Sequence, residues 1–192
     1  VSADGVDNLA PFSQFNNLSY NPPMVMISFQ PTGTEESACK KDTLINIEET
    51  GSFVYNIVPY ALKAQMNITA IPQHDLDEWE AAGLTKADSI QVPAKRVAES
   101  PIQFECKYLQ TIHFPSESKK GVIDMVIAKV VEVHIADDVL TPEGKIDFLK
   151  IKPLGRMGYW DYTYVNEVFS MAIPGLTATQ MSGFGGDRIK KD

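Results

Sequence analysis

Residues 8–30, "NLAPFSQFNNLSYNPPMVMISFQ", alternate between polar and apolar with no helical rhythm, break at Pro22-Pro23, and enter an apolar run from Met24 to Phe29 that contains Ser28. The pattern predicts two strands, 8–19 and 24–30, joined by a Pro-Pro turn. Residues 31–39 read as a loop. "KKDTLINIEETG" then predicts a short helix, with Asp42 as N-cap, Leu44 and Ile47 on one face, and Gly51 as the stop. "SFVYNIVPY" alternates as a strand with Phe53, Tyr55 and Ile57 on one face. "ALKAQMNITA" and "DLDEWEAAGL" predict two short helical segments, the second anchored in the core by Trp79.

The clearest period-two segment is 102–114. Ile102, Phe104, Cys106, Tyr108, Ile112 and Phe114 share one parity, and Gln103, Glu105, Lys107 and His113 share the other. That is the pattern of a half-buried antiparallel strand, and it puts Cys106 in the core. "GVIDMVIAKVVEVHI" is apolar on both parities, as a strand inside a closed barrel would be. "KIDFLKIKPL" predicts a further short strand. Strands come in runs with helices inserted, not as alternating βαβ units. The expected fold is therefore mainly β: an antiparallel barrel with short inserted helices and no Rossmann-type glycine loop. One domain is expected over 1–174, followed by a tail over 175–192 in which Gly183, Gly185 and Gly186 only loosely resemble a glycine motif.

Composition narrows the function. The 192 residues suit a single domain with a sizeable core. The net charge of −8 opposes binding to nucleic acid or to an anionic membrane, because both require a basic face. No apolar run approaches the roughly 20 residues of a membrane span. Cys39 and Cys106 are too few for a disulfide framework, and a reducing cytoplasm is the expected home. Asn17-Leu18-Ser19 and Asn67-Ile68-Thr69 fit the glycosylation pattern, but without a secretion signal they read as chance matches. Asp4-Gly5 is a tight-turn dipeptide with no full strand before it, which leads us to expect that the natural chain extends N-terminal of Val1.

No side chain stands out as a catalyst. His74, His113 and His134 have no partner at metal-ligand spacing, and there is no CxxC and no GxSxG. The neighbouring acids Glu48-Glu49 and Asp137-Asp138 do not face each other, so solvated charge is the simpler reading. If the protein is an enzyme, a cofactor supplies its reactivity. What remains is an anion site. Lys40, Lys41, Asp42 and Thr43 open the short helix, where free N–H groups and the helix dipole attract phosphate. Beside the amide-rich strands, a phosphate at this helix start and a planar heterocycle on the strands would together describe a flavin mononucleotide.

The run "NLAPFSQFN … NPPMVMIS … KKDTLINIEETGSFVYNIV" resembles the flavin reductase-like family with the FMN-binding split-barrel fold, especially its flavoredoxin-like branch. "RVAESPIQFECK", "VVEVHIADDVL" and "PLGRMGYWDY" match further on, so the resemblance covers roughly residues 1–172. It implies an antiparallel Greek-key split barrel and a homodimer holding FMN near the subunit interface. It places Ser13, Gln14, Phe15 and Asn16 along the isoalloxazine ring and ribityl chain, with Ser28 and Phe29 on the neighbouring strand. It puts Lys41, Asp42 and Thr43 at the phosphate, and Lys95, His134 and Phe169 around the cofactor pocket. The reaction it implies is hydride transfer from NAD(P)H to flavin N5, by an NAD(P)H:flavin oxidoreductase with a monooxygenase or other redox acceptor. The alternative is an FMN-carrying electron-transfer or binding protein without NAD(P)H turnover. The sequence carries no nicotinamide fingerprint to separate the two.

Overall fold

The computed structural model of the protein describes residues 1–34, 37–73, 76–116 and 121–175. Among these the backbone is mainly antiparallel β with short helices, as the order of sequence patterns predicts. Five strands form the main sheet in the order β1-β2-β7-β6-β3: β1 Phe15–Tyr20, β2 Pro23–Phe29, β7 Val122–Ile135, β6 Ile102–Pro115 and β3 Ser52–Asn56. Two small ribbons accompany it, β4 Lys86–Ala87 with β5 Arg96–Val97, and β8 Leu154–Gly158 with β9 Asp161–Tyr164. The helices are α1 Asp42–Thr50, α2 Lys63–Ile68, α3 Glu78–Ala82 and α4 Phe148–Ile151.

One core packs the inward parity of β2 (Val25, Ile27, Phe29) against that of β7 (Val126, Ala128, Val130), under Leu44 and Ile47 of α1. The two α1 residues are three apart, which places them on one helical face. Gly51 ends α1 in the left-handed region at φ 71°, a conformation glycine adopts without steric cost, and its N–H donates to the Ile47 carbonyl. Cys106 is fully buried, and burial pushes its thiol up to about 12. Trp79 is buried on α3, as expected. The Asp4-Gly5 turn is present, with Gly5 at φ 83°.

Four expectations need correction. The first strand begins at Phe15, not at residue 8. Residues 8–14 run as an irregular segment, since Pro11 cannot donate to a ladder and side chains hold the neighbouring stretch instead. Asp42 is not the N-cap of α1. Lys41 holds that position with extended backbone, and Asp42 is the first helical residue, its carboxylate beside the positive end of the helix dipole. "KIDFLKIKPL" is not a strand up to Lys152. Asp147 accepts hydrogen bonds from the Leu149 and Lys150 N–H groups and starts α4, so local capping overrides the β-branched pattern. On β6, Gln103 and Glu105 sit on the polar parity but are buried, because the 86–97 lobe covers that face. His74 and the tail from 176 onward, including Gly183, Gly185 and Gly186, lie outside the described residues.

Candidate functional site

The segment 7–13 crosses the surface between α1 and α3, held by side chains rather than by a ladder. The Asn8 amide Nδ2 and the Leu9 N–H both donate to the Glu78 carboxylate, at 3.3 Å each, while the Thr43 hydroxyl donates to Asn8 Oδ1 at 2.8 Å. Beneath this bridge lies a cavity of about 330 Å³. That is the low end of the range for small-molecule sites.

Its outer wall comes from Ser13, Phe15, Thr43 and Asn46, and its floor from the residues of β3. The Phe15 and Tyr55 rings stack there, 3.8 Å between centroids and 5° from parallel. Burial pushes the Tyr55 hydroxyl above its ordinary pKa, so it stays a neutral donor. The inner wall comes from Leu62, Gln65 and Met66 on or beside α2, and from Trp79 and Leu84. Ala94, Lys95 and Val97 close one side, and Arg156 and Tyr162 of the β8–β9 hairpin another.

Of the sequence-selected residues, Ser13, Phe15, Thr43 and Lys95 thus meet at one cavity. Lys41 stands just outside it at the start of α1, with its ammonium 5.4 Å from the Phe12 ring centre. No side chain caps α1, so the first-turn N–H groups of Asp42 and Thr43 are left to water or a ligand. Gln14 and Asn16 are exposed beside the cavity mouth. Ser28 donates its N–H to the Gln14 carbonyl at 2.9 Å, which ties the bridge to β2. Phe29 is buried in the core, edge-on to Phe12 at 4.8 Å.

Two residues stand apart from the cavity. His134 faces the buried carboxylate of Glu105, with Nε2 2.6 Å from Oε1. The same carboxylate accepts the N–H groups of Ile90 and Gln91, at 2.8 and 2.6 Å. It thereby pins the loop that carries Lys95, whose ammonium pairs with Asp88 at 2.6 Å. Phe169 lies on the chain after β9, 76% exposed.

Sequence reasoning passed over Asn8, Asn46, Ser52, Tyr55, Gln65 and Trp79 as site residues. A signal existed for Asn46, one turn beyond Thr43 on α1. None existed for Gln65 or Trp79, whose approach to the cavity depends on how α2 and α3 pack.

An orphaned atom tests whether the wall suits a ligand. The Ser52 hydroxyl is buried at the cavity edge with no hydrogen-bond partner. Buried polar atoms are seldom left so, because the group forfeits its water without replacement. With the uncapped helix start, Lys41, Thr43 and the aromatic wall, the residues suit a ligand with an anionic end and a planar, hydrogen-bonding body.

Residues 1–166 match the family model of the flavin reductase-like domain. An uncharacterised protein of Halalkalibacterium halodurans is 34% identical over 177 residues, 92% of this chain and 83% of that protein. The crystal structure of nitrilotriacetate monooxygenase component B from Bacillus cereus superposes with a TM-score of 0.79 at 31% identity, covering 89% of this chain and 83% of that one. Flavoredoxin of Desulfovibrio vulgaris is similar in fold, with a TM-score of 0.74 at 20% identity over 91% of this chain and 87% of that one. The architecture is the split barrel of such proteins, and the chain belongs to the flavin reductase-like family.

Proposed function

We propose that the protein binds FMN in the cavity beneath the 7–13 bridge and works as an NAD(P)H:flavin oxidoreductase. The observation that carries this reading is the meeting of Ser13, Phe15 and Thr43 around one cavity beside an uncapped helix start, in a member of the flavin reductase-like family.

Each residue's role follows from its place. The Lys41 ammonium, the Thr43 hydroxyl and the first-turn N–H groups of Asp42 and Thr43 bind the phosphate. Phe15, stacked on Tyr55, forms an apolar wall for the rings. Ser13, Gln14 and Asn16 supply hydroxyl and amide groups at the mouth. Ser28 fixes Gln14, and Phe29 fixes Phe12 beneath Lys41. Lys95 lines the far side, and His134 acts at a distance, through Glu105, by holding the Lys95 loop. FMN, when bound, would supply the two-electron hydride acceptor that no side chain provides. The chain's contribution is to orient and to exclude water.

The working unit is a homodimer in the cytoplasm. The β8–β9 hairpin and the chain beyond it expose Met157, Tyr159, Trp160, Phe169 and Met171, a larger apolar display than a lone small domain carries. A second copy covering this face brings Phe169 into the assembly. A monooxygenase or another redox protein is the expected acceptor, in keeping with the component B relative. No helix among the described residues is long and apolar enough to cross a membrane.

Titration of FMN into the purified protein tests the binding. Flavin fluorescence should be quenched with low-micromolar affinity or better. A charge-assisted phosphate bond contributes roughly 1.5–3 kcal/mol, so Lys41→Ala should weaken FMN about ten-fold or more while leaving riboflavin unchanged. Anaerobic stopped-flow with NADH and NADPH tests the reaction. Bleaching of the bound flavin supports the reductase. Bleaching by dithionite alone moves the assignment to an FMN-carrying electron-transfer protein, and a protein that quenches no flavin overturns both.

A further inference from the structure

Five other buried polar side chains all have partners, Ser100 at the cavity among them: Thr69, Ser100, Gln103, Glu105 and Asp124 each form a hydrogen bond. Three buried side-chain atoms among the described residues do not: Ser52 Oγ, Gln65 Oε1 and Trp79 Nε1. All three belong to residues that line the one cavity. Trp79 and Ser52 are only 3% and 5% exposed. Such atoms lose their water on folding and gain nothing in return. Their concentration around one cavity points to a ligand.

The chemistry of the three atoms limits what that ligand is. The indole N–H donates only, the amide oxygen accepts only, and the hydroxyl does either. A carboxylate brings no hydrogen to Gln65, and an ammonium brings no acceptor to Trp79. Of the charged side chains that line the cavity, Asp7 pairs with Lys86 at 3.0 Å and Lys95 with Asp88 at 2.6 Å, while Arg156, on the hairpin side, donates to the Tyr159 carbonyl. Leu62, Met66 and Leu84 make the surrounding wall apolar. A neutral group in which N–H stands beside C=O, borne on a flat ring, satisfies every one of these conditions.

We infer that Gln65 and Trp79 of the inner wall, with Ser52 of the β3 floor, form a subsite that reads the neutral amide edge of a heteroaromatic ligand. The inference rests on the redox reading above, and two molecules of that reading carry such an edge: the pyrimidine ring of FMN and the carboxamide of the nicotinamide. The three atoms are sealed from water, so a ligand in the cavity reaches them when the side chains that cover them shift.

The chain has two tryptophans, Trp79 and Trp160, so a ¹H–¹⁵N spectrum shows two indole peaks, assigned with Trp160→Phe. Saturation with FMN, or with NAD⁺ on the FMN-loaded protein, should move the Trp79 peak downfield and slow its exchange, and the ligand that does so is the occupant. Gln65→Leu should weaken that same ligand about 5-fold. It should leave the melting temperature of the free protein unchanged or higher, because it removes an orphaned acceptor. An indole peak that neither ligand moves, although flavin fluorescence is quenched, overturns the subsite and leaves FMN binding intact. A Trp79 peak that NAD⁺ moves in a protein that does not quench FMN keeps the subsite and overturns the flavin reading. A lower melting temperature for Gln65→Leu with unchanged affinities assigns Gln65 to packing alone and overturns its role.

Discussion

The β6–β7 ribbon carries an acid–histidine pair near each end, and the two pairs share one contact distance and little else. Near the base, Glu105 on β6 meets His134 on β7 at 2.6 Å. Near the hairpin end, Asp124 on β7 meets His113 on β6, also at 2.6 Å. The first pair is enclosed, with side-chain exposures of 0% for Glu105 and 17% for His134. The second leaves His113 59% exposed above an Asp124 at 8%. Glu105 also accepts two backbone N–H groups from the loop that brings Ala94 and Lys95 to the cavity. Asp124 borders an open groove with Cys39 and Lys40. The environment, and not the length of the contact, decides how much each pair matters.

The largest effect should come from truncating the enclosed acid. Glu105→Ala strands the Ile90 and Gln91 N–H groups and the His134 ring together. Removing one partner of a buried pair costs about 3–5 kcal/mol. Asp124→Ala leaves His113 to water and should cost about 1 kcal/mol. Urea unfolding of both variants checks the contrast, and equal losses would erase it. Glu105→Ala should also weaken FMN, because the Lys95 loop loses its anchor, whereas Asp124→Ala should not.

A smaller effect follows from protonation. Burial pushes the Glu105 carboxyl up, but the hydrogen bonds from Ile90, His134 and Gln91 outweigh it and hold the group below its ordinary pKa of 4.5. An acid lowered by folding stabilises the protein fully above its unfolded pKa, and that contribution is lost as pH falls through the folded value. Stability should therefore be level in this contribution above about pH 4.5 and decline below it. Denaturant midpoints measured between pH 6 and pH 3 give the slope. Glu105→Gln should flatten the acid limb, and an unchanged limb would assign it to other carboxylates.

The two ends of the ribbon also show what the sequence could and could not tell. Period two along 102–114 was enough to bury Cys106 and expose Lys107, but β6 does not keep it: the register shifts between Tyr108 and Gln110, and Phe114, on the parity of Cys106, is 42% exposed. The same parity put Gln103 and Glu105 toward water. What covers them is the 86–97 lobe: the Gln91 N–H and the Arg96 guanidinium donate to Glu105 and Gln103, and the Gln103 amide donates to the Val97 carbonyl. His134 was assigned to the cofactor pocket through resemblance, yet its visible partner is Glu105, 29 residues away. The start of α1 was legible to within one residue, since helix boundaries follow local pattern, with Lys41 and not Asp42 at the N-cap. The inner cavity wall was not, because Gln65 and Trp79 sit on different short helices and become neighbours of one space only through tertiary packing.

The smallest effect belongs to the ion pair at the open end of the ribbon, where Lys40 meets Glu48 at 2.6 Å with side-chain exposures of 44% and 25%. The hydrogen bond to Glu48 raises the Lys40 pKa. Burial pushes the Glu48 carboxyl up, but Lys40 and the Thr111 hydroxyl together bring it below its ordinary value. The contact is as short as the Glu105–His134 pair, so contact length alone would predict a comparable loss on Lys40→Ala. Exposure argues otherwise. Water screens the charges, and fixing the lysine chain costs rotamer freedom. Glu48 also keeps its bond from Thr111 at 2.9 Å when Lys40 is removed, so no buried group is orphaned. Lys40→Ala should cost under about 1 kcal/mol, and the loss should shrink further as salt rises toward 1 M. A loss near that of Glu105→Ala, insensitive to salt, would mean that the groove beside Cys39 is closed in solution and that the two ends of the ribbon are not the opposites described above.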